Sequence, residues 1–217
     1  VQWDFMVNGG RNSYEWSTIN VPSHWEFEGF GEYTYGRWYK ELDQDEPSKE
    51  EGFYKHSFMV PASMKGKKVA IVFGGAMTDT EVKINGKSAG EIHQGGFYEF
   101  SYDITSLLNY GDDNLIEVHV SKHSANASVN AAERKADWWL FGGIYRPVWL
   151  SVTPKTHIAY VAIDAKMDGT VTSELAVENF SQMGSLEVFL TKVNSTEKIG
   201  SEMFVLTPKK SSFNLKT

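Results

Sequence analysis

Cysteine is absent from all 217 residues. That single absence excludes disulfide scaffolds, thiolate metal sites and cysteine nucleophiles, and it fits a reducing or an oxidising compartment equally. Long apolar runs are missing too. None approaches the roughly 20 residues that a spanning helix needs, which excludes an integral helical membrane protein. There is also no basic stripe of the kind that nucleic-acid binding uses. The chain carries 21 basic and 28 acidic side chains, a net charge of −7, so a polyanionic partner is not expected. The acidity is local: residues 1–50 hold 4 basic and 10 acidic side chains. Much of it sits in Glu41–Glu51, which reads as a solvated loop. The first residue is Val1, with neither Met nor a signal peptide, which reads as a removed leader or as a piece of something longer.

What is present describes a folded chain of one large domain, or one domain and part of a second. At 41% hydrophobic and 23% charged residues it falls outside the disordered range, and it is long enough to bury a core without disulfides or metal. Short alternating segments punctuated by Gly, Asn, Asp and Pro predict strands over 53–60, 68–74, 78–84, 97–103, 114–120 and 145–153. Asn85-Gly86 predicts a tight hairpin, because both turn positions favour positive φ. The one helical hint is 103–109, with Asp103 as N-cap and Gly111 as stop. The chain reads as all-β, and the spacing of its strands suggests a sandwich. Pro154 marks a boundary. Beyond it, segments 159–165, 171–177, 185–193 and 203–206 read as strands of an immunoglobulin-like sandwich. Such a sandwich needs about seven strands, and four or five fit before Thr217, so the second domain is expected to be unfinished.

Several motifs that suggest chemistry read better as structure. His119 and His123 have the spacing of a helical metal pair but fall at the end of a predicted strand, where they would stand roughly 13 Å apart. Asp112-Asp113 and Asp164 with Asp168 evoke the paired carboxyls of glycoside hydrolysis, yet both lie in turn contexts that favour Asp locally. Gly74-Gly75 and Gly95-Gly96 lack the strand–loop–helix setting of a phosphate cradle. No Gly-x-Ser-x-Gly elbow occurs. Sequons at Asn126, Asn179 and Asn194 carry little information. No cofactor or metal site is expected.

The aromatic residues are more informative. Trp3, Trp16, Trp25 and Trp38, with Tyr33, Tyr35 and Tyr39, crowd the first 40 residues, and Trp138-Trp139 follow Asp137. A ring beside a carboxylate suits a sugar, whose C–H faces are edged by hydroxyls. The same rings could instead fill a core or a domain interface.

Six stretches in order carry a resemblance: Asn20-Val-Pro-Ser-His-Trp25, Gly52-Phe-Tyr-Lys-His-Ser-Phe58, Thr80-Glu-Val-Lys-Ile-Asn-Gly-Lys87, Gly90-Glu-Ile-His-Gln-Gly-Gly-Phe97, Phe100-Ser-Tyr-Asp-Ile-Thr105 and Asp137-Trp-Trp-Leu-Phe-Gly-Gly-Ile-Tyr-Arg-Pro-Val-Trp-Leu150. Over residues 15–153 their order and spacing resemble the N-terminal region of glycoside hydrolase family 2, the β-galactosidases, β-glucuronidases and β-mannosidases. The resemblance implies a jelly-roll sugar-binding domain over 1–153. It implies the opening strands of an immunoglobulin-like sandwich over 154–217. In that family a TIM barrel, which follows these domains, holds both catalytic glutamates. No Asn-Glu dipeptide, which carries the family's acid/base glutamate, occurs here, so these residues are expected to supply no catalytic group.

The resemblance makes Asp137 the residue that touches sugar hydroxyls, with Trp138 beside it. Tyr35 stands where some β-galactosidases carry the Asn of a Tyr-Thr-Asn turn, so that Asn contact is not available here. Glu99 replaces a usual Pro, without a functional consequence. Gly142 and Gly143 read as supports that allow a tight turn and close approach, and Arg146 as a support able to hold a carboxylate bidentately. The expected partners are a terminal sugar, the family's catalytic barrel and, through an oligomer interface, further copies of the chain. A periplasmic or extracellular location is what polysaccharide-degrading relatives imply. The expected role is the non-catalytic part of a β-galactosidase-type hydrolase that shapes the pocket. An independent carbohydrate-binding module and an inert structural sandwich are the alternatives.

Overall fold

A computed structural model describes residues 1–35, 48–135, 138–180, 184–206 and 211–216. They are all-β and divide into two compact units, Val1–Val152 and Thr153–Thr217, with the boundary next to Pro154.

In the first unit the strands are β1 (Gln2–Val7), β2 (Ser17–Asn20), β3 (Thr34–Tyr35), β4 (Glu51–Val60), β5 (Lys68–Phe73), β6 (Asp79–Ile84), β7 (Lys87–Ser88), β8 (Phe100–Asp103), β9 (Asp112–Ser121), β10 (Trp139–Leu140) and β11 (Val148–Thr153). They form a six-stranded sheet in the order β2-β1-β4-β9-β6-β7, a three-stranded sheet β11-β5-β8 and a short ribbon β10-β3. Alternation decides which side chains turn inward. Trp3, Phe5 and Val7 of β1, Ile116, Val118 and Val120 of β9, and Val69, Ile71 and Phe73 of β5 are all buried in one core. In β1 and β9 the alternate neighbours are less buried and mostly polar, which fixes the register by which face is apolar, whereas β5 is apolar on both sides from Ala70 to Phe73 and buries Val72 as well.

The expected strands over 53–60, 68–74, 78–84 and 114–120 are present as β4, β5, β6 and β9. Segments 97–103 and 145–153 contribute only their later parts, as β8 and β11, because their first residues turn through Gly96 and the loop of residues 141–146. At the hairpin, Asn85 and Gly86 have φ of 52° and 75°, and Ile84 pairs with Lys87 across them. The Asn85 amide also donates to Leu107 O and Asn114 Oδ1 and accepts from Leu115 N–H.

The helical reading of 103–109 is corrected. Asp103 accepts from Thr105 N–H and its hydroxyl, and Leu107 N–H reaches Ile104 O. Asn114 Oδ1 then accepts Asn109 N–H and ends the turn before a helix can nucleate. Helix occurs instead at Ala127–Val129, capped by Asn126, and continues as a wider turn over Asn130–Arg134. β1 and β2 were likewise not among the expected strands. The inward side of β1 consists of Trp3, Phe5 and Val7, and β2 buries only Ile19.

The second unit holds β12 (His157–Ala165), β13 (Thr170–Glu178), β14 (Gly184–Thr191), β15 (Lys198–Leu206) and β16 (Ser211–Lys216), in sheets β12-β13-β16 and β14-β15. Leu175 and Ser173 are its buried residues among the described side chains, while Ile158, Ile163, Val193 and Val205 are exposed. Low burial means low local stability. Limited proteolysis followed by mass spectrometry should therefore cut within 153–217 before it cuts the strands of 1–152; first cleavage inside β4 or β9 would contradict this.

Candidate functional site

The aromatic residues singled out by sequence separate into two groups. Trp3 and Trp25 are core residues, with Trp25 stacked on Phe5 at 6.1 Å. Trp16 lies at the surface beneath Lys55. Trp38, Tyr39 and Asp137 lie outside the described residues. Of Tyr35 the backbone is described, and it pairs with Trp139 in the β10–β3 ribbon.

Tyr33 and Trp139 join His24, Phe27, Phe141 and Tyr145 in one continuous, partly exposed face, and Trp138 is exposed next to Trp139 in the chain. Tyr145 stacks on His24 at 5.0 Å with planes 6° apart, and His24 meets Phe141 and Phe27. Phe141 and Phe27 both meet Tyr33, whose ring stands edge-on to Trp139 at 5.7 Å. Phe27 is 62% exposed, Tyr33 44%, Trp138 46% and Trp139 47%. Rings that pack on one another and still face water form a surface suited to an apolar C–H face or to another protein surface.

Beneath this face the backbone between Phe141 and Arg146 is bonded at five of its six residues. Phe141 O accepts from Arg134 Nη2. Gly142 N–H donates to both oxygens of Glu26 at 3.1 Å, and Gly142 O accepts from Trp25 N–H. Gly143 exchanges two bonds with Met77, Ile144 O accepts Ser23 N–H, and Arg146 N–H donates to Gly75 O. His24 Nδ1 lies 3.2 Å from Gly142 O, an acceptor only, so Nδ1 carries the proton. Burial lowers the His24 pKa, with Arg134 adding to the effect, and the ring is neutral near pH 7. Tyr145 donates its hydroxyl to Gly96 O, and Gly96 N–H donates to the buried Glu133 carboxylate.

The two glycines have distinct reasons to be glycine. A Cβ on Gly142 would enter the Trp25 indole, and Gly143 has φ of 109° with Ser23 O and the Tyr54 hydroxyl 3.0 Å from where a Cβ would sit. Arg146 bonds to main-chain carbonyls. Its Nη1 donates to the main-chain oxygens of Gly74 and Phe97, and its guanidinium lies over the Tyr145 ring. The carbonyls of two bends converge on it, where sequence suggested a carboxylate.

Sequence reasoning missed the charged cluster under the loop. Lys122 is fully buried. Its Nζ donates to Glu26 Oε1 at 2.9 Å, Glu50 Oε2 at 2.6 Å and Glu32 O at 2.7 Å, which uses all three ammonium protons. Glu26 is 1% exposed and Glu50 7%, so Glu50 is not part of a solvated loop. Burial pushes the Glu26 carboxyl upward, against the pull of Lys122 and Gly142 N–H. Arg134 is buried as well. Its Nε and Nη2 both donate to Lys122 O, its Nη1 faces Met77 Sδ, and burial pulls it down to about 10. A lone acid between Trp25 and Phe27 was the one available hint.

The remaining motifs stay structural. His119 stacks flat on Phe53 between Glu51 and Glu81, while His123 is packed near Arg134 and Lys122. Asp168 caps Thr170 N–H in a turn, and Asp112 accepts from Asp113 N–H. Among the described residues no group of three His, Asp or Glu side chains is placed to hold a metal ion. An apolar groove of about 450 Å³ elsewhere in the first unit is lined by Trp3, Phe58, Met59, Trp149 and aliphatic neighbours apart from His56. It offers few hydrogen-bonding groups.

Known proteins place these observations. Residues 11–154 match the model for "Glycosyl hydrolases family 2, sugar binding domain". A β-galactosidase of Thermoanaerobacter pseudethanolicus is 38% identical over 136 residues, 59% of this chain and 18% of that protein. A β-galactosidase of Bacteroides ovatus is 31% identical over 171 residues, 72% of this chain and 18% of that protein. The chain thus spans under a fifth of the length of these relatives. Among solved structures, a β-glycosidase from Bacteroides vulgatus aligns with TM-score 0.67 at 25% identity, covering 99% of this chain and 28% of that one. A family 2 member from Bacteroides cellulosilyticus shares the fold with TM-score 0.67 at 22% identity, over 97% of this chain and 30% of that one.

Two predictions follow from the loop and its surroundings. Gly142→Ala forces Trp25 or the loop to move and should cost about 2–3 kcal/mol, as overpacking does; an unchanged urea midpoint would contradict the packing. His123 is held down to about 4 by burial and by Arg134 and Lys122. Below pH 6.5 the unfolded chain takes up a proton that the folded chain refuses, so stability falls as pH drops from 6.5 toward 4. Urea titrations at pH 7, 5.5 and 4.5 should show this fall, with a shallower slope in His123→Gln.

Proposed function

The chain belongs to glycoside hydrolase family 2, and from that premise we propose that it forms the non-catalytic, pocket-shaping part of a β-galactosidase-type hydrolase. The partly exposed aromatic face over a hydrogen-bonded loop carries this reading. A wall that must present rings to a sugar or to a catalytic domain gains from being ordered beforehand, because less freedom is lost on contact. On this reading residues 1–153 are a jelly-roll sugar-binding domain and 154–217 belong to an immunoglobulin-like sandwich. Asp137, Trp138 and Tyr35 meet the terminal sugar, while Gly142, Gly143 and Arg146 hold the loop that presents them. The reaction of the whole protein is retaining hydrolysis of a terminal O-glycosidic bond, with two carboxyls about 5–5.5 Å apart supplied by a barrel outside these 217 residues. The face, or a surface beside it, also serves contacts with that barrel or with further copies of the chain.

The half-exposed Trp138 and Trp139 suit a second reading as well, a carbohydrate-binding module that works alone. Calorimetric titration of the 217-residue chain with galactose, lactose and glucuronic acid separates the two. No detectable heat is the expected result. In the whole hydrolase, Trp138→Ala and Asp137→Ala should then each lower kcat/KM about tenfold or more, roughly 1.4 kcal/mol of transition-state stabilisation. Millimolar binding by the chain alone, lost in Asp137→Ala, would favour the free module. Unchanged kcat/KM in both variants would remove this face from the substrate site.

A further inference from the structure

The aromatic face is only as well placed as the loop beneath it, and the backbone of that loop has two charged anchors, Glu26 at Gly142 N–H and Arg134 at Phe141 O. Gly142 N–H points at the Glu26 carboxylate and meets both oxygens at 3.1 Å. Glu26 is in turn held by Lys122 at 2.9 Å, and Lys122 is held on its far side by Glu50 at 2.6 Å. Gly142 follows Phe141, the ring on which His24, Phe27 and Tyr33 converge. Any displacement of Gly142 therefore carries the centre of the face with it. The second hold on this point, Arg134 to Phe141 O, starts from Lys122 O, where Arg134 also donates. Both tethers run back to one residue at the end of β9.

We infer that Glu26 is a positioning residue for the proposed sugar-facing site: held in place by Lys122, it fixes Gly142 and through it the Trp138–Phe141 segment. This rests on the reading of the face as a pocket wall. Glu50 provides an internal control. It accepts from the same ammonium and is buried as well, but its carboxylate meets Lys122 where that of Glu26 also meets Gly142 N–H. A merely structural role would make the two carboxylates equivalent. A positioning role makes them different.

The test compares Glu26→Gln with Glu50→Gln in the full 217-residue chain, by amide exchange and by the indole signals of a ¹⁵N–¹H spectrum. Glutamine at position 26 keeps one acceptor oxygen where two sites were needed, so Gly142 N–H and Lys122 compete for it. Glu26→Gln is expected to speed exchange of the Gly142 amide at least tenfold and to shift the Trp138 and Trp139 indole signals, with β4 and β9 amides less affected. Glu50→Gln is expected to lower overall stability and leave the Gly142 amide and both indoles in place. Equal effects of the two variants, or no effect of Glu26→Gln on Gly142, would overturn the inference. If Glu26→Gln does not fold, the neutral triple variant Glu26→Gln, Lys122→Met, Glu50→Gln removes the charges together, as buried ion clusters often tolerate; parent-like Gly142 and indole signals there would overturn it equally. The readout is the loop itself, so a chain that binds no sugar still decides the matter, and failure of the pocket reading remains a separate result.

Discussion

A lysine with no exposed surface sets the terms for the first unit. An ammonium taken out of water costs several kcal/mol unless each of its protons finds an acceptor, and Lys122 has three of them to satisfy. The acceptors are a carboxylate beside Trp25, a carbonyl at Glu32 and a carboxylate at Glu50, which come from two stretches of chain, the β2–β3 connection and the entry into β4. Satisfying one side chain therefore brings those stretches together at the end of β9. Arg134, seated on the carbonyl of the same lysine, extends the hold to Phe141. Replacing such a cluster by apolar groups is often neutral for stability. Its contribution is better sought in geometry than in free energy of folding.

The geometry in question runs against the usual direction of burial. Phe27, Tyr33, Trp138 and Trp139 remain near half exposed, although burying each would be favourable by about 1.5–3 kcal/mol for a large apolar side chain. Ring packs on ring from Tyr145 to Trp139, and the main chain below is bonded at Phe141, Gly142, Gly143, Ile144 and Arg146. Rigid and apolar yet exposed is the condition of a surface awaiting a partner, whether a sugar or a neighbouring domain. A flexible loop would have been free to fold its rings inward.

Much of the fold was legible because β6 and β9 alternate, because β5 is a short apolar run, and because Asn85-Gly86 sits where both residues have positive φ. The family was legible from six ordered stretches, which the match over residues 11–154 supports. The site was legible only as a neighbourhood. The sequence marked Gly142 and Gly143 as backbone necessities, but not that the first accommodates the Trp25 indole. It could not show that Lys122, in a run of His, Val and Ser, lies inside the protein. The partners are too distant: Glu50 stands 72 residues from Lys122, and Glu26 stands 116 from Gly142. The partners of Arg146 were hidden for a related reason. Residue type suggests a carboxylate partner, whereas the carbonyls of Gly74 and Phe97 come to it only through the tertiary bends.

Two carboxylates that share one ammonium could be mistaken for the acid pair of a glycosidase, and the structure argues otherwise. A retaining mechanism needs one carboxyl to give a proton to the leaving oxygen and another to attack the sugar from the opposite side. Both must be reachable from a bound substrate. Glu26 is almost wholly buried and has both oxygens engaged by Gly142 N–H, one of them also by Lys122. Glu50 gives one oxygen to the same lysine and is buried with it. An attack on an anomeric carbon would require Glu26 to abandon the loop that presents the aromatic face. Holding the face and performing the chemistry are thus incompatible tasks for this pair, and its arrangement serves the first.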